Sequence, residues 1–114
     1  MKYIKYELIV PLKNGLTAPK GLRDRETDRR VFDVVRKALS RKFGGFSEQR
    51  ITGGYLSDSG EIVYDESIMF STLHKKGDDR FMKRLAFFVK KHAYQESVYL
   101  SKSIVESVGR SIYI

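Results

Sequence analysis

Cysteine is absent from this chain, which excludes disulfides, thiolate metal sites and cysteine nucleophiles together. Histidine is scarce: His74 and His92 are the only two, and neither has a second histidine at metal-ligand spacing. Long apolar runs are missing too, and no stretch approaches the roughly 20 residues that span a bilayer. The opening segment, Met1 to Glu7, carries charges where a signal peptide needs an apolar run. A cytoplasmic location and no membrane partner are therefore expected, and no cofactor motif is present.

The chain has 114 residues, 41% hydrophobic and 32% charged, a length and balance that suit one globular domain over residues 1–114. Its net charge is +8. Such an excess favours nucleic acid, anionic lipid or an acidic protein surface as partner, and it also keeps copies of a protein apart in solution.

Hydrophobic periodicity divides the chain into six elements. Ile4, Tyr6, Leu8, Val10 and Leu12 alternate with Tyr3, Lys5, Glu7 and Ile9 over residues 3–12, the period of a strand, and Pro11 marks its end or an exposed edge. Residues 13–27 read as a long loop, with Thr27 or Asp28 placed to cap a helix over 28–43. Val31, Val35, Ala38, Leu39 and Phe43 make one apolar stripe there, and Gly44-Gly45 ends it. Residues 46–56 and 61–73 read as a hairpin about the turn Ser57-Asp58-Ser59-Gly60. Asp78 or Asp79 caps a second helix whose inner face is Phe81, Leu85, Phe88, Val89 and His92. Residues 97–104 read as a further strand, and Ser111 to Ile114 as a short extra C-terminal one.

The order β-α-β-β-α-β predicts an α+β fold: a ferredoxin-like sandwich, an antiparallel sheet with two helices on one face. Its core should hold Leu8, Val10, Val35, Leu39, Leu85, Phe88 and Val98. The opposite sheet face should carry an apolar patch from Ile51, Tyr64, Ile68 and Phe70, of the sort that marks a dimer interface. A homodimer is expected.

Short motifs in the second half carry a resemblance. Gly54-Tyr55, Gly60-Glu61-Ile62-Val63, Glu66-Ser67 and Gln95-Glu96-Ser97-Val98 together resemble a small bacterial family of uncharacterised α+β proteins. Its members tend to show a Gly-x-Trp strand, a turn glycine, a glutamate in the next strand and a Gln-Glu-Ser-Val opening of the last strand. Tyr55 takes an aromatic place near the expected tryptophan, and Tyr94 stands where a glycine usually closes the helix. The match covers roughly residues 43–100. It implies the same fold and no activity, because the family's own function is not established.

Catalytic chemistry has no motif here. Glu48, Asp58, Glu61, Asp65 and Glu66 gather around the hairpin, where Glu48 and Glu66 on adjacent strands can approach each other, as acid–base or cation-binding pairs do. A solvated hairpin end explains the same residues. Gly44-Gly45 follows a helix, whereas a phosphate cradle precedes one. Gly53-Gly54 lies inside a strand, and the serines after residue 97 show no nucleophile elbow.

Charge is unevenly spread. Arg29, Arg30, Arg36, Lys37 and Arg41 fall on the first helix, and Arg80, Lys83, Arg84, Lys90 and Lys91 on the second. The hairpin between them is acidic, so phosphates should avoid its sheet face and favour the helices. Phe87 points about 160° away from Leu85 at 100° per residue, among those cations, where an aromatic can stack on a base or bury in a partner. These eleven residues are the candidate nucleic-acid-binding set. Three function classes follow: a non-enzymatic module that binds nucleic acid or an acidic protein through basic helices, a self-associating domain that uses the open sheet face, and an enzyme whose carboxylate site is assembled across a dimer.

Overall fold

A computed structural model describes residues 2–106. Its elements are β1 (Lys2–Pro11), α1 (Arg29–Phe43), β2 (Ser47–Leu56), β3 (Ile62–His74), α2 (Asp79–His92) and β4 (Leu100–Glu106). All strand pairs are antiparallel, in the order β2-β3-β1-β4. Both helices are strongly amphipathic and lie on one face of the sheet. The expected C-terminal strand at 111–114 lies outside the described residues.

The helix ends follow local chemistry. Asp28 caps α1 by accepting from the Arg30 backbone N–H at 2.9 Å, and Gly44 closes it at φ 82°, a left-handed conformation that glycine adopts without strain. Asp78, rather than Asp79, caps α2, accepting from the Phe81 N–H at 3.0 Å. Thr27 is buried, and its hydroxyl donates to the Pro11 carbonyl at 2.7 Å.

The core forms where Tyr6, Leu8, Val10 and Phe70 of the sheet meet Val31, Phe32, Val35, Leu39 and Phe43 of α1 and Met82, Leu85 and Val89 of α2. Phe88 and Val98, expected within it, are half-buried at its margin. The stripe of α2 is turned slightly from the expected one: Met82 is fully buried, Phe81 half-buried and His92 exposed. Tyr6 donates its hydroxyl to Asp79 Oδ1 at 2.5 Å. Burial, with that bond and the nearby carboxylate, raises its pKa to about 12.

Strand β4 begins at Leu100, three residues later than the sequence indicated. The last bond of β1 toward it is Ile9 N–H to the Tyr99 carbonyl, at 3.1 Å. The next donor on that side would come from residue 11, and Pro11 has none. On its other side β1 continues one step further, Leu12 N–H reaching the Glu66 carbonyl at 3.0 Å.

The open face also differs from expectation. The pairing Leu8↔Phe70 turns Phe70 and Ile68 toward the helices, and Phe70 is 1% exposed. The uncovered face instead shows Ile51, Met69, Ile9, Tyr3, Leu73 and Val105, with Lys5 and Glu7 among them. Ile68, Met69 and Phe70 are apolar at both parities, so alternation alone could not set the register.

Beyond Glu66, whose carbonyl takes the Leu12 bond, β3 pairs only with β2. Residues 52–66 therefore form a two-stranded arm that reaches roughly 15 Å past β1 at about 3.3 Å per residue. The arm helps make the molecule 50 Å long and 21 Å thin, with a radius of gyration of 16.0 Å; a compact chain of this length would have about 13 Å.

Candidate functional site

The expected basic layer exists, but its two helices differ. On α1, Arg30 forks onto Asp28, with its Nη2 at 2.6 Å from Oδ2. This bond draws the Asp28 pKa down to about 2. Arg36 binds Glu48 at 2.8 Å and Asp33 at 3.3 Å, with its guanidinium carbon 5.9 Å from the ring centres of both Phe32 and Phe70. That arginine ties α1 to β2 and covers the core. The hydrogen bonds raise its pKa and lower that of Glu48. Arg29, Lys37 and Arg41 remain exposed.

On α2, Arg80, Lys83, Arg84, Lys90 and Lys91 are all exposed and make no ion pair among the described residues. Phe87 stands among them, 66% exposed. The structure thus places nine of the ten proposed cations on the exposed surface and half-buries Arg36.

The carboxylates of the hairpin do not converge. Glu48 lies opposite Phe70 and Glu66 opposite Thr52, four cross-strand pairs along the ladder, which corrects the expected approach of these two residues. Each instead faces an arginine: Glu48 binds Arg36, and Glu66 binds Arg50 at 2.5 Å. Among the described residues no group of three or more acids and histidines is arranged to hold a metal.

The arm is bare. Tyr55, Leu56, Ile62, Val63 and Tyr64 are all exposed, Tyr64 at 71%. Gly54 sits opposite Tyr64, whose ring packs across it. The arm holds Asp58, Glu61, Asp65 and Glu66 and no lysine or arginine.

Sequence reasoning missed a cavity of about 600 Å³ where the 13–28 loop meets the start of α1 and the end of α2. Four backbone features build it. Gly15 N–H donates to the Ala93 carbonyl at 3.1 Å and Thr17 N–H to that of Tyr94 at 3.4 Å. Tyr94 takes φ 54°, left-handed as the glycine of the resemblance would be, and Gln95 N–H closes the helix onto the Lys90 carbonyl at 2.9 Å. A Cβ on Gly15 would collide with the Tyr94 carbonyl oxygen, so this approach requires glycine. The one available signal was Tyr94 at the position of a helix-closing glycine.

With β2-β3-β1-β4 order and both helices on one face, the architecture is decided. The fold is ferredoxin-like. No family model and no curated protein matches the chain. Solved structures do. The B. subtilis GlnK–ATP complex is similar at TM-score 0.59 and 11% identity, over 91% of this chain and 82% of that one. A phage SAM lyase in complex with S-methyl-5'-thioadenosine is similar at TM-score 0.57 and 18% identity, over 89% and 80%. CutA from Pyrococcus horikoshii is similar at TM-score 0.52 and 14% identity, over 96% and 90%. At these identities the likeness is one of fold. No helix among the described residues is long and apolar enough to cross a membrane.

Proposed function

We propose that this chain is a non-enzymatic binding module that works as a homodimer, its copies meeting through the open sheet face and the hairpin arm. The observation that carries this reading is the bare arm. A lone two-stranded ribbon is marginal in water, and this one exposes five large apolar side chains and two strand edges. Uncovered edges invite pairing with another chain. A second copy suits the arm because Asp58, Glu61 and Asp65, with no cation of the arm beside them, extend from a chain of net charge +8, so the arm of one copy complements the body of the other. Lys5 and Glu7, both half-buried on the open face, offer the same complementarity across a two-fold axis.

Light scattering at micromolar concentration tests this directly. The expected mass is twice the 13.2 kDa of the chain. Leu56→Lys with Tyr64→Lys should yield monomers that remain folded by circular dichroism. A wild-type protein that stays monomeric in low and high salt overturns the reading.

A second reading rests on a separate observation, the cluster of five unpaired cations around Phe87 on α2. In it the helical layer, left outward by the dimer, holds nucleic acid without strong sequence preference. Affinity should fall steeply between roughly 50 and 200 mM salt, because each phosphate contact releases a condensed counterion. Lys83→Glu with Lys90→Glu should weaken all sequences about equally. Phe87→Ala should cost single-stranded binding about 1–3 kcal/mol and duplex binding less. Fluorescence anisotropy with labelled oligonucleotides measures each effect, and no binding at low salt leaves an acidic protein as the partner of this layer.

A further inference from the structure

We propose that two copies join along the outer edge of β2, so that the arm of each lies beside the partner's lower strand and seats Tyr55 in a hollow there. The inference rests on the self-association proposed above and specifies where the arm goes. The outer edge of β2 is free. The bond from Leu12 N–H to the Glu66 carbonyl turns the even residues of β3 toward β1, and the bond from Ser57 N–H to the Glu61 carbonyl, at 2.8 Å, turns the odd residues of β2 toward β3. The backbone N–H and C=O groups of Glu48, Arg50, Thr52, Gly54 and Leu56 therefore point away from the sheet, in which β2 is outermost. The strand holds neither proline nor lysine and its register is unbroken, so nothing in it discourages pairing.

A hollow of about 530 Å³ lies at the start of the same strand. β2 begins at Ser47 opposite Ser71, whereas β3 runs on to His74. Ser47, Ser71, Leu73, Val105 and Lys5 line the open-face side of the notch that this leaves. The two serines are too small to fill it, and Leu73 beside them is 54% exposed.

Symmetry connects the arm to the hollow. Antiparallel pairing about a two-fold axis at Ile51 sets Ile51 against its own copy and places Tyr55 opposite the partner's Ser47. Ser47, Ile51, Tyr55 and Leu73 all project from the open face, so the Tyr55 ring, 58% exposed in the single chain, enters the hollow. On the helix side the same register brings Leu56 to the partner's Phe46, which is half-buried. Arg50 comes beside the partner's Thr52, with the partner's Glu66 one strand further on. The tip acids Asp58 and Glu61 then reach the end of the sheet where the partner's Lys75 and the partner's Lys76 follow β3. An axis at Arg50 would oppose two like charges, and one at Thr52 would set Leu56 against the partner's Glu48. The joined edges exchange about eight backbone hydrogen bonds, and a ribbon that is marginal alone gains a third and fourth strand.

The absence of cysteine gives a clean test. In Ile51→Cys the two sulfurs meet across a non-hydrogen-bonded pair, with Cα atoms about 4.5 Å apart, within disulfide reach. Mild oxidation should convert most of this variant to covalent dimers on a non-reducing gel, while Ile104→Cys on β4, 65% exposed, should stay monomeric there. Tyr55→Ala removes the ring, and Ser47→Trp plugs the hollow. Each should raise the dimer dissociation constant tenfold or more in sedimentation equilibrium, with the circular dichroism of the monomer unchanged. A wild-type monomer overturns the dimer reading and this inference together. If the wild type is a dimer, the inference alone is overturned when Ile51→Cys crosslinks no better than Ile104→Cys, or when Tyr55→Ala and Ser47→Trp both leave the dissociation constant unchanged.

Discussion

One hairpin lives in two environments. In its lower part, residues 47–51 and 67–71, the β3 half is sheltered by β1 and α1, with Phe70 enclosed by Leu8, Phe32 and Phe46 and covered by the Arg36–Glu48 pair, while the β2 half forms the sheet edge. Its upper part, residues 52–66, uses the same strands in the same register and, past the Leu12 bond to Glu66 at its base, meets no other element among the described residues. The apolar residues do not thin out on passing from one to the other. Phe70 and Tyr64 lie on the same face of β3, six residues apart, yet one is buried and the other largely exposed. Strand chemistry therefore specifies the ribbon, while what packs on it specifies whether its side chains stabilise the domain or serve something outside it.

Replacing those two aromatics by alanine breaks the comparison most sharply. Phe70→Ala should destabilise the domain by about 3–5 kcal/mol, because a cavity opens in a well-packed core. Tyr64→Ala should change monomer stability by no more than about 0.5 kcal/mol, and its effect should appear in the association constant. Urea unfolding of both variants, with sedimentation at several concentrations, separates the two. A large loss of stability for Tyr64→Ala in a monomeric protein would mean the arm is part of the core after all.

The polar cover of the lower hairpin gives a middle-sized effect. Arg36→Ala should cost about 1 kcal/mol, the sum of a half-exposed ion pair and the stem that shields Phe70. Arg50→Ala, at the base of the arm, removes a more exposed pair with Glu66 and should cost less. Equal costs in thermal melts would erase the distinction between the two halves.

Smallest is the response to acid, which should reach the body and spare the arm. Asp28, Glu48, Asp78 and Asp79 all sit below their ordinary pKa in the fold, each chiefly through a side-chain hydrogen bond. A depressed carboxylate contributes fully above its unfolded value and loses its contribution as pH falls toward the folded one. For Asp28 the window runs from 3.8 down to about 2. Tyr6 has the opposite sign: its contribution holds below pH 10 and fades as pH rises toward 12. Melting temperatures at pH 7, 4 and 2 should fall with acid, and amide exchange in the arm should show no matching step.

Much of the fold was legible beforehand because local signals agreed with it. The alternation of Ile4, Tyr6, Leu8 and Val10, the caps at Asp28 and Gly44, and the turn at Ser57–Gly60 each specify an element without tertiary help. The outward direction of Phe87 followed from helical spacing in the same way. Legibility failed where two parities or two partners competed. Ile68-Met69-Phe70 fits either face, and only pairing with β1 decides it. Arg36 reads as one more surface cation, and only the approach of β2 brings Glu48 to it. The cavity was invisible because it depends on a loop meeting a helix end some eighty residues away.

That distant meeting also sets an order of events. The 13–18 segment donates hydrogen bonds to the Ala93 and Tyr94 carbonyls and accepts one from Gln95, so its native shape requires a distant part of the chain. During synthesis at about 5–20 residues per second, β1 emerges first, and its loop must wait several seconds for α2. Loops closed by such remote contacts form late, since their closure entropy precedes any reward. The amides of Gly15 and Thr17 accordingly stand among the last to be protected as the chain folds.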